Sequence, residues 1–281
     1  RAVRRYAGAV TAIVSVADDG GSSGALRALM PDLPAPGDVR RCLGALSEDG
    51  SALGRVLEHR FADGELRGHA LGNLLLVALS EELGSFAAAV DEVAARVGAV
   101  GRVLPATCGP VDLCAWRSAP GSAGSSATPV AGQVAVQNAG GIYEVCLEPA
   151  APASPPEVGD ALTEADQVVI GPGSLFTSVL AAAVVPAVRA SLQATSAQRV
   201  YVANLAPQEP ETSGFTVADE VAALARHGVP VDVVVADPAR EPGDLAALPV
   251  AVRVVTVPVA SGSGRVHDPV RLAEALAALI A

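Results

Sequence analysis

The sequence is short of aromatic residues and cysteines, has no excess of basic residues, and contains no apolar run long enough to cross a bilayer. Its 281 residues include one Trp, three Tyr and four Phe, and the formal net charge is −11. Binding nucleic acid over a long surface takes basic groups for the phosphates and rings for the bases, so this composition excludes such a surface and no nucleic-acid partner is expected. An anionic ligand must instead be held locally, by backbone N–H groups, a few arginines or a metal. The longest apolar run, around residues 180–188, is interrupted by Pro186 and falls short of the roughly 20 residues of a spanning helix, so no membrane span is predicted. No charged segment followed by an apolar stretch and a cleavage site opens the chain, and a cytoplasmic protein is expected. The four cysteines, Cys42, Cys108, Cys114 and Cys146, show neither CxxC pairing nor histidines at zinc spacing. They read as reduced, inert thiols.

Hydrophobic residues make up 51% of the chain, enough to bury a large core, and the length fits one domain over 1–281. Short β-branched runs at 11–17, 167–170, 199–205, 231–236 and 252–257 read as strands, with Arg1 leading straight into the first. Helical patterns lie between several of them, which is the signature of an α/β fold with a doubly wound, mostly parallel sheet. Residues 38–98 carry helices in succession, including 71–83 and 86–97, and read as a helical insertion. Residues 102–148 break the alternation: 111–117, 133–137 and 142–147 suggest a small antiparallel flap, with a Ser/Ala/Gly/Pro-rich mobile loop at 118–128.

The most informative string is VADDGGSSG at 16–24, directly after a strand and before a helical run. Gly20 and Gly21 let the backbone approach a phosphate, Ser22 and Ser23 add hydroxyl donors, and the following helix N-terminus favours negative charge. Asp18 and Asp19 would repel an oxyanion unless one of them holds a hydrated Mg²⁺ or contacts a sugar hydroxyl. The plainer reading is a Gly-rich turn with Asp as a helix cap. A second strand, turn and helix sequence places Gly171, Gly173, Ser174 and Thr177 at another anion site or packing turn. A third strand ends at Asn204. The C-terminal ends of parallel strands share one edge, so the three loops should converge on one crevice.

Two motifs in the helical insertion could complete it. Asp38 reads as an N-cap followed by Arg40 and Arg41, whose commoner explanation is solvated surface charge. His69 is a capping histidine or a base, and Asn73 a ligand amide or a satisfied buried group. His59 and His227 read as helix-end histidines, favourable there with the dipole. No Ser/His/Asp or Cys/His nucleophile set can be assembled, so no catalytic residue is assigned.

Together these strings resemble the YvcK family, gluconeogenesis or morphogenesis factors within the wider CofD-like superfamily. The likeness runs through VADDGGSSG at 16–24, PGDVRRCL at 36–43, GHALGNLLL at 68–76 and GRVLPAT at 101–107. It continues in GPGSLFTS at 171–178, VANLAPQEPETSGFTVADEV at 202–221 and HDP at 267–269. The resemblance implies a Rossmann-like fold that binds UDP-N-acetylglucosamine or a related nucleotide in a protein tied to cell-wall growth, cell shape and growth on gluconeogenic carbon sources. No cofactor beyond Mg²⁺ at Asp18 and Asp19 is implied, and cell-wall enzymes and a second copy of the chain are the candidate partners. The enzymatic CofD branch moves a phospholactyl group from a nucleotide-activated donor to a deazaflavin precursor with Mg²⁺. Its hallmark after the first Asp pair differs from GGSSG, which favours the YvcK branch. The family's opening strand and GGGTG loop would lie ahead of Arg1 and are not in this sequence. The family's Arg-His-Asp run appears as Arg265-Val266-His267-Asp268, with Arg265, the expected ligand contact, displaced by one position. A threonine phosphorylated after that run in some relatives is Pro269 here.

Overall fold

The computed structural model describes residues 1–117, 128–248 and 252–280. Its strands are β1 (Thr11–Val14), β2 (Arg102–Pro105), β3 (Asp112–Arg117), β4 (Thr128–Ala131), β5 (Ile142–Glu148), β6 (Gln167–Ile170), β7 (Gln198–Val202), β8 (Val233–Ala236) and β9 (Arg253–Thr256). The helices are α1 (Gly21–Leu29), α2 (Gly37–Leu46), α3 (Ala52–Leu57), α4 (Leu71–Leu83), α5 (Phe86–Arg96), α6 (Gln133–Gln137), α7 (Pro156–Thr163), α8 (Ala181–Ala183), α9 (Pro186–Ala194), α10 (Val217–Arg226) and α11 (Pro269–Ala277). A π-helical segment, Leu175–Leu180, runs directly into α8.

The expected α/β architecture is present, with a parallel β6-β7-β8-β9 sheet, a parallel β1-β2 pair and an antiparallel β4-β3-β5 sheet. Parallel neighbours need a crossover connection, and the helical insertion supplies the one from β1 to β2. The valine-rich central strands follow from burial on both faces. On one face Val200, Val202, Val233 and Val235 pack against Leu272 and Leu276 of α11. On the other, Tyr201 and Val234 join the main core with Val217, Val221 and Leu224 of α10.

Several segments differ from their sequence reading. Residues 133–137 are helical, not a strand, because Asp19 caps their first turn. Arg102–Pro105 pairs in parallel with β1 and belongs to the parallel layer rather than the flap. Thr128–Ala131 adds a strand on β3 that no β-branched run announced. Val3–Arg5 forms one 3₁₀ turn, so the chain does not run straight into β1. The parallel strands form two hydrogen-bonded groups instead of one sheet, since periodicity marks strands without naming their partners. The Ser/Ala/Gly/Pro-rich loop lies outside the described residues except for Thr128. Among the described residues, no single helix is long and apolar enough to cross a membrane.

Buried polar groups tie these layers together. Glu220 on α10 has no exposure; its carboxylate accepts from Tyr201 Oη at 3.1 Å and from Arg240 Nη2 at 2.9 Å. Burial pushes the Glu220 carboxyl up to about 7 against the pull of Arg240. His227 follows α10: its Nδ1 donates to the Ala223 carbonyl at 2.7 Å, and its Nε2 accepts from Val145 N–H at 2.9 Å. A ring nitrogen that accepts carries no proton, so this imidazole is neutral and the dipole does not explain it. It joins α10 to the flap strand β5.

Burial lowers the His227 pKa from its ordinary 6.5. The unfolded chain therefore binds more protons than the native state at and below about pH 6.5, and this contribution to stability is present above that pH and lost as pH falls through the lowered value. His227→Ala is expected to cost about 1–3 kcal/mol at neutral pH, the usual cost of stranding buried partners. Urea denaturation should also show less loss of stability on acidification in the variant than in wild type.

Candidate functional site

The segment after β1 places its two aspartates in different surroundings. Asp18 turns back on its own loop, its Oδ1 accepting from Gly20 N–H at 2.9 Å. Asp19 reaches the flap: its Oδ2 accepts from Gln133 N–H at 2.9 Å and its Oδ1 from Val134 N–H at 2.8 Å. Both oxygens thus satisfy the open end of α6, a charge-assisted cap supplied from 114 residues away in sequence. Val134 of α6 lies over Gly20. The loop is tight: a Cβ on Gly24 would run into the Asp19 carbonyl oxygen, and one on Gly37 would meet Ser23 Oγ and Asp18 Oδ2.

Gly37 and Asp38 open α2, so these contacts bring the insertion against the first loop. Burial raises the Asp38 pKa; Arg41, 3.0 Å away, opposes this, and the nearby Asp18 charge adds to it. Two carboxylates, Asp18 and Asp38, therefore face one region, while Asp19 is turned toward α6. Ser22 ties in α4 and the turn before it. Its Oγ lies 3.2 Å from His69 Nδ1 and accepts from Ala70 N–H at 3.3 Å and Asn73 Nδ2 at 3.1 Å. Ser22, Ser23 and Asn73 are all buried, and Asn73 Oδ1 has no partner.

The two arginines of the second motif part company. Arg41 is exposed and pairs with Asp38. Arg40, expected at the surface, is buried, pairs with Glu58 at 3.1 Å, packs its stem on Gly72 and leaves its Nε without a partner. It is buried because it faces inward from α2 onto α4, a fact a first-turn position does not convey.

At the end of β6, Gly171 takes a positive φ of 77° and Ser174 caps the π-helical segment without a side-chain bond. The nearby N–H groups are already occupied. Glu211 Oε1 accepts from Phe176 N–H at 2.8 Å and from Thr177 N–H at 3.0 Å. Burial raises the Glu211 pKa, and those same N–H groups pull it down. Asn204, at the end of β7, donates to the Gly173 carbonyl at 2.8 Å. His267 Nε2 lies 3.2 Å from the Ala203 carbonyl; since a carbonyl only accepts, that nitrogen carries a proton. Arg265 is exposed in the turn before it, and no contact with the other candidate residues brings it to them.

Three pieces of sequence therefore meet. The first loop binds α6, α6 packs on the π-helical segment, and that segment is fastened by Glu211 from the third loop. Among the described residues, no group of three or more His, Cys, Asp or Glu side chains is placed to hold a metal. Glu211 and the helix α6 were not singled out from the sequence, and Arg40 was read as surface charge. A buried carboxylate in the QEPET string had no recognisable signal, because its partners are N–H groups 34 and 35 residues away.

A family model described as "2-phospho-L-lactate transferase CofD" matches residues 1–251. A Mycobacterium tuberculosis protein named "Putative gluconeogenesis factor" is 40% identical over 98% of this chain and 84% of its own length. The chain belongs to the CofD-like YvcK family. A Halalkalibacterium halodurans protein named "Gluconeogenesis factor" is 39% identical over 84% of the chain and 72% of its own length. A crystal structure of a UPF0052 family member from Bacillus halodurans superposes with a TM-score of 0.87 at 34% identity, covering 98% of this chain and 93% of that one. The YvcK-family likeness thus spans both the parallel layer and the flap.

Removing the Asp19 carboxylate should leave the first amides of α6 without acceptors. Asp19→Ala is expected to speed hydrogen exchange at the Gln133 and Val134 amides about tenfold or more, the equivalent of about 1.4 kcal/mol. Unchanged protection at both amides would show that α6 does not depend on this cap.

Proposed function

We propose that this chain binds a uridine nucleotide-sugar, UDP-N-acetylglucosamine or a close relative, as a regulator tied to cell-wall growth, cell shape and gluconeogenic carbon use. The observation that supports the reading is which helix ends remain open. Beside the first loop, Asp19 fills the start of α6 and Glu211 fills the start of the π-helical segment, while α1, α2 and α4 begin without a side-chain cap. The uncapped start of α1, with Gly20 and Gly21 followed by Ser22 and Ser23, suits a phosphate. Gly171, Gly173 and Ser174 would offer a second contact, and Asp18, Asp38, His69, Asn73 and Asn204 would fix sugar hydroxyls. The base and the sugar come from the family likeness, as do the regulatory role and a cytoplasmic location. Arg265 would approach from the exposed turn before His267.

A second reading rests on the name of the matching family model and on the Asp18–Asp38 carboxylates. In a transferase of the CofD kind these two would share Mg²⁺, which supplies charge neutralisation for a nucleotide-activated donor. Asp19, committed to α6, would position the loop.

Titration calorimetry of the full chain with UDP-N-acetylglucosamine, with and without Mg²⁺, tests the first reading. Saturable binding is expected, weakened about tenfold by Ser22→Ala, which removes the acceptor shared by Ala70 and Asn73. No binding under either condition rejects it. Mg²⁺-dependent phospholactyl transfer to a deazaflavin acceptor, lost in Asp38→Asn, would establish the second.

A further inference from the structure

The flap carries a pair of cysteines that the nucleotide site does not use. Cys114 on β3 and Cys146 on β5 are direct partners in the antiparallel ladder. Their neighbours Leu113, Ala115, Val145 and Leu147 are buried, so strand alternation turns both thiols, with Asp112, Trp116, Glu144 and Glu148, to the outer face. Both cysteines are free and partly exposed, and each lies near enough to influence the other's ionisation. Directly opposed residues in an antiparallel pair have Cα atoms about 4.5 or 5.5 Å apart, inside the roughly 4.4–6.8 Å range that a disulfide spans. Closing the bond therefore requires side-chain rotation and no strand movement. Cys108 is exposed, and Cys42 lies on the insertion helix α2; neither has an opposed thiol.

We infer that Cys114 and Cys146 form a modifiable dithiol that closes to an intramolecular β3–β5 disulfide when a small disulfide such as glutathione disulfide is the oxidant. One cysteine thiolate attacks the small disulfide and displaces one glutathione, leaving a mixed disulfide. The opposed cysteine then attacks the protein-bound sulfur and releases the second glutathione. Two protein thiols are oxidised, one disulfide is reduced to two glutathiones, and the two thiol protons end on those products. Burial raises both thiols, with Asp112 raising Cys114 and Glu144 raising Cys146, and Glu148 adding to each, so the exchange quickens on the alkaline side of neutrality. The link would fix the strand pair from which α6 is presented. Gly132 N–H, at the start of α6, donates to the carbonyl of Leu113, and Cys114 faces Ala131 of β4.

The test is incubation of the folded full chain with glutathione disulfide at mildly alkaline pH, alkylation, and peptide mapping without reduction. Wild type is expected to yield a Cys114–Cys146 cross-linked peptide within one chain and a simple glutathione adduct on Cys108. Trp116, the sole tryptophan, sits two residues along the same face and is 40% exposed. Its fluorescence should fall on oxidation and recover with dithiothreitol. Cys114→Ser should abolish the cross-link and leave Cys146 carrying glutathione. Separate adducts on Cys114 and Cys146 in wild type, or both thiols free while Cys108 is derivatised, would overturn the inference. So would a Cys146 cross-link to another cysteine in Cys114→Ser at the wild-type rate.

Discussion

The carboxylate of Asp19 on the first turn of α6 is the contact on which the arrangement at the sheet edge depends. A five-residue helix cannot hold itself in water, since nucleation costs more than so few hydrogen bonds return. It exists here because its first N–H groups meet a fixed negative charge at 2.8–2.9 Å. The contact acts in both directions. It orders α6, and it pins the backbone of the DDGGSSG loop, whose Gly24 admits no side chain against the Asp19 carbonyl. The packing of α6 on the π-helical segment then carries the constraint to the second loop.

The same device recurs with Glu211, so two carboxylates fill helix starts beside this group of loops. In a chain of net charge −11, each such cap neutralises a local positive end that a diffusing anion would otherwise find. The starts of α1, α2 and α4 beside the first loop have no such side-chain cap, and the proposed phosphate contact uses the first of these. In that proposed reading the negative global field of the chain slows encounter with an anion without preventing it.

A buried polar layer behind the site supports it. Tyr201 lies against Gly171 of the second loop and donates to Glu220, whose other oxygen takes Arg240. His227 bridges α10 to β5 through a fixed neutral tautomer. These groups connect the four-stranded sheet to the flap with few exposed ion pairs. Such connections hold only while every member is paired, because an unpaired polar group in a low-dielectric interior is costly.

Much of the architecture followed from local pattern. The valine runs of β7 and β8, the glycine turns after β1 and β6, and the helices over 71–83 and 86–96 are set by propensity and periodicity, which act among neighbours in sequence. So was the choice of VADDGGSSG as the leading candidate loop, because small residues between a strand and a helix have few other uses. The strand reading of 133–137 failed since its alternating valines carry no sign of a cap held 114 residues away. Arg40 was read as solvated because nothing in its vicinity names Glu58 and Gly72 as partners. Neither the parting of Asp18 from Asp19 nor the pairing of Cys114 with Cys146 was legible in the sequence. Elements and loop chemistry are local properties that the chain determines by itself. Which helix ends are filled, which carboxylates face one another and which strands become neighbours are long-range contacts, and only the folded packing decided them.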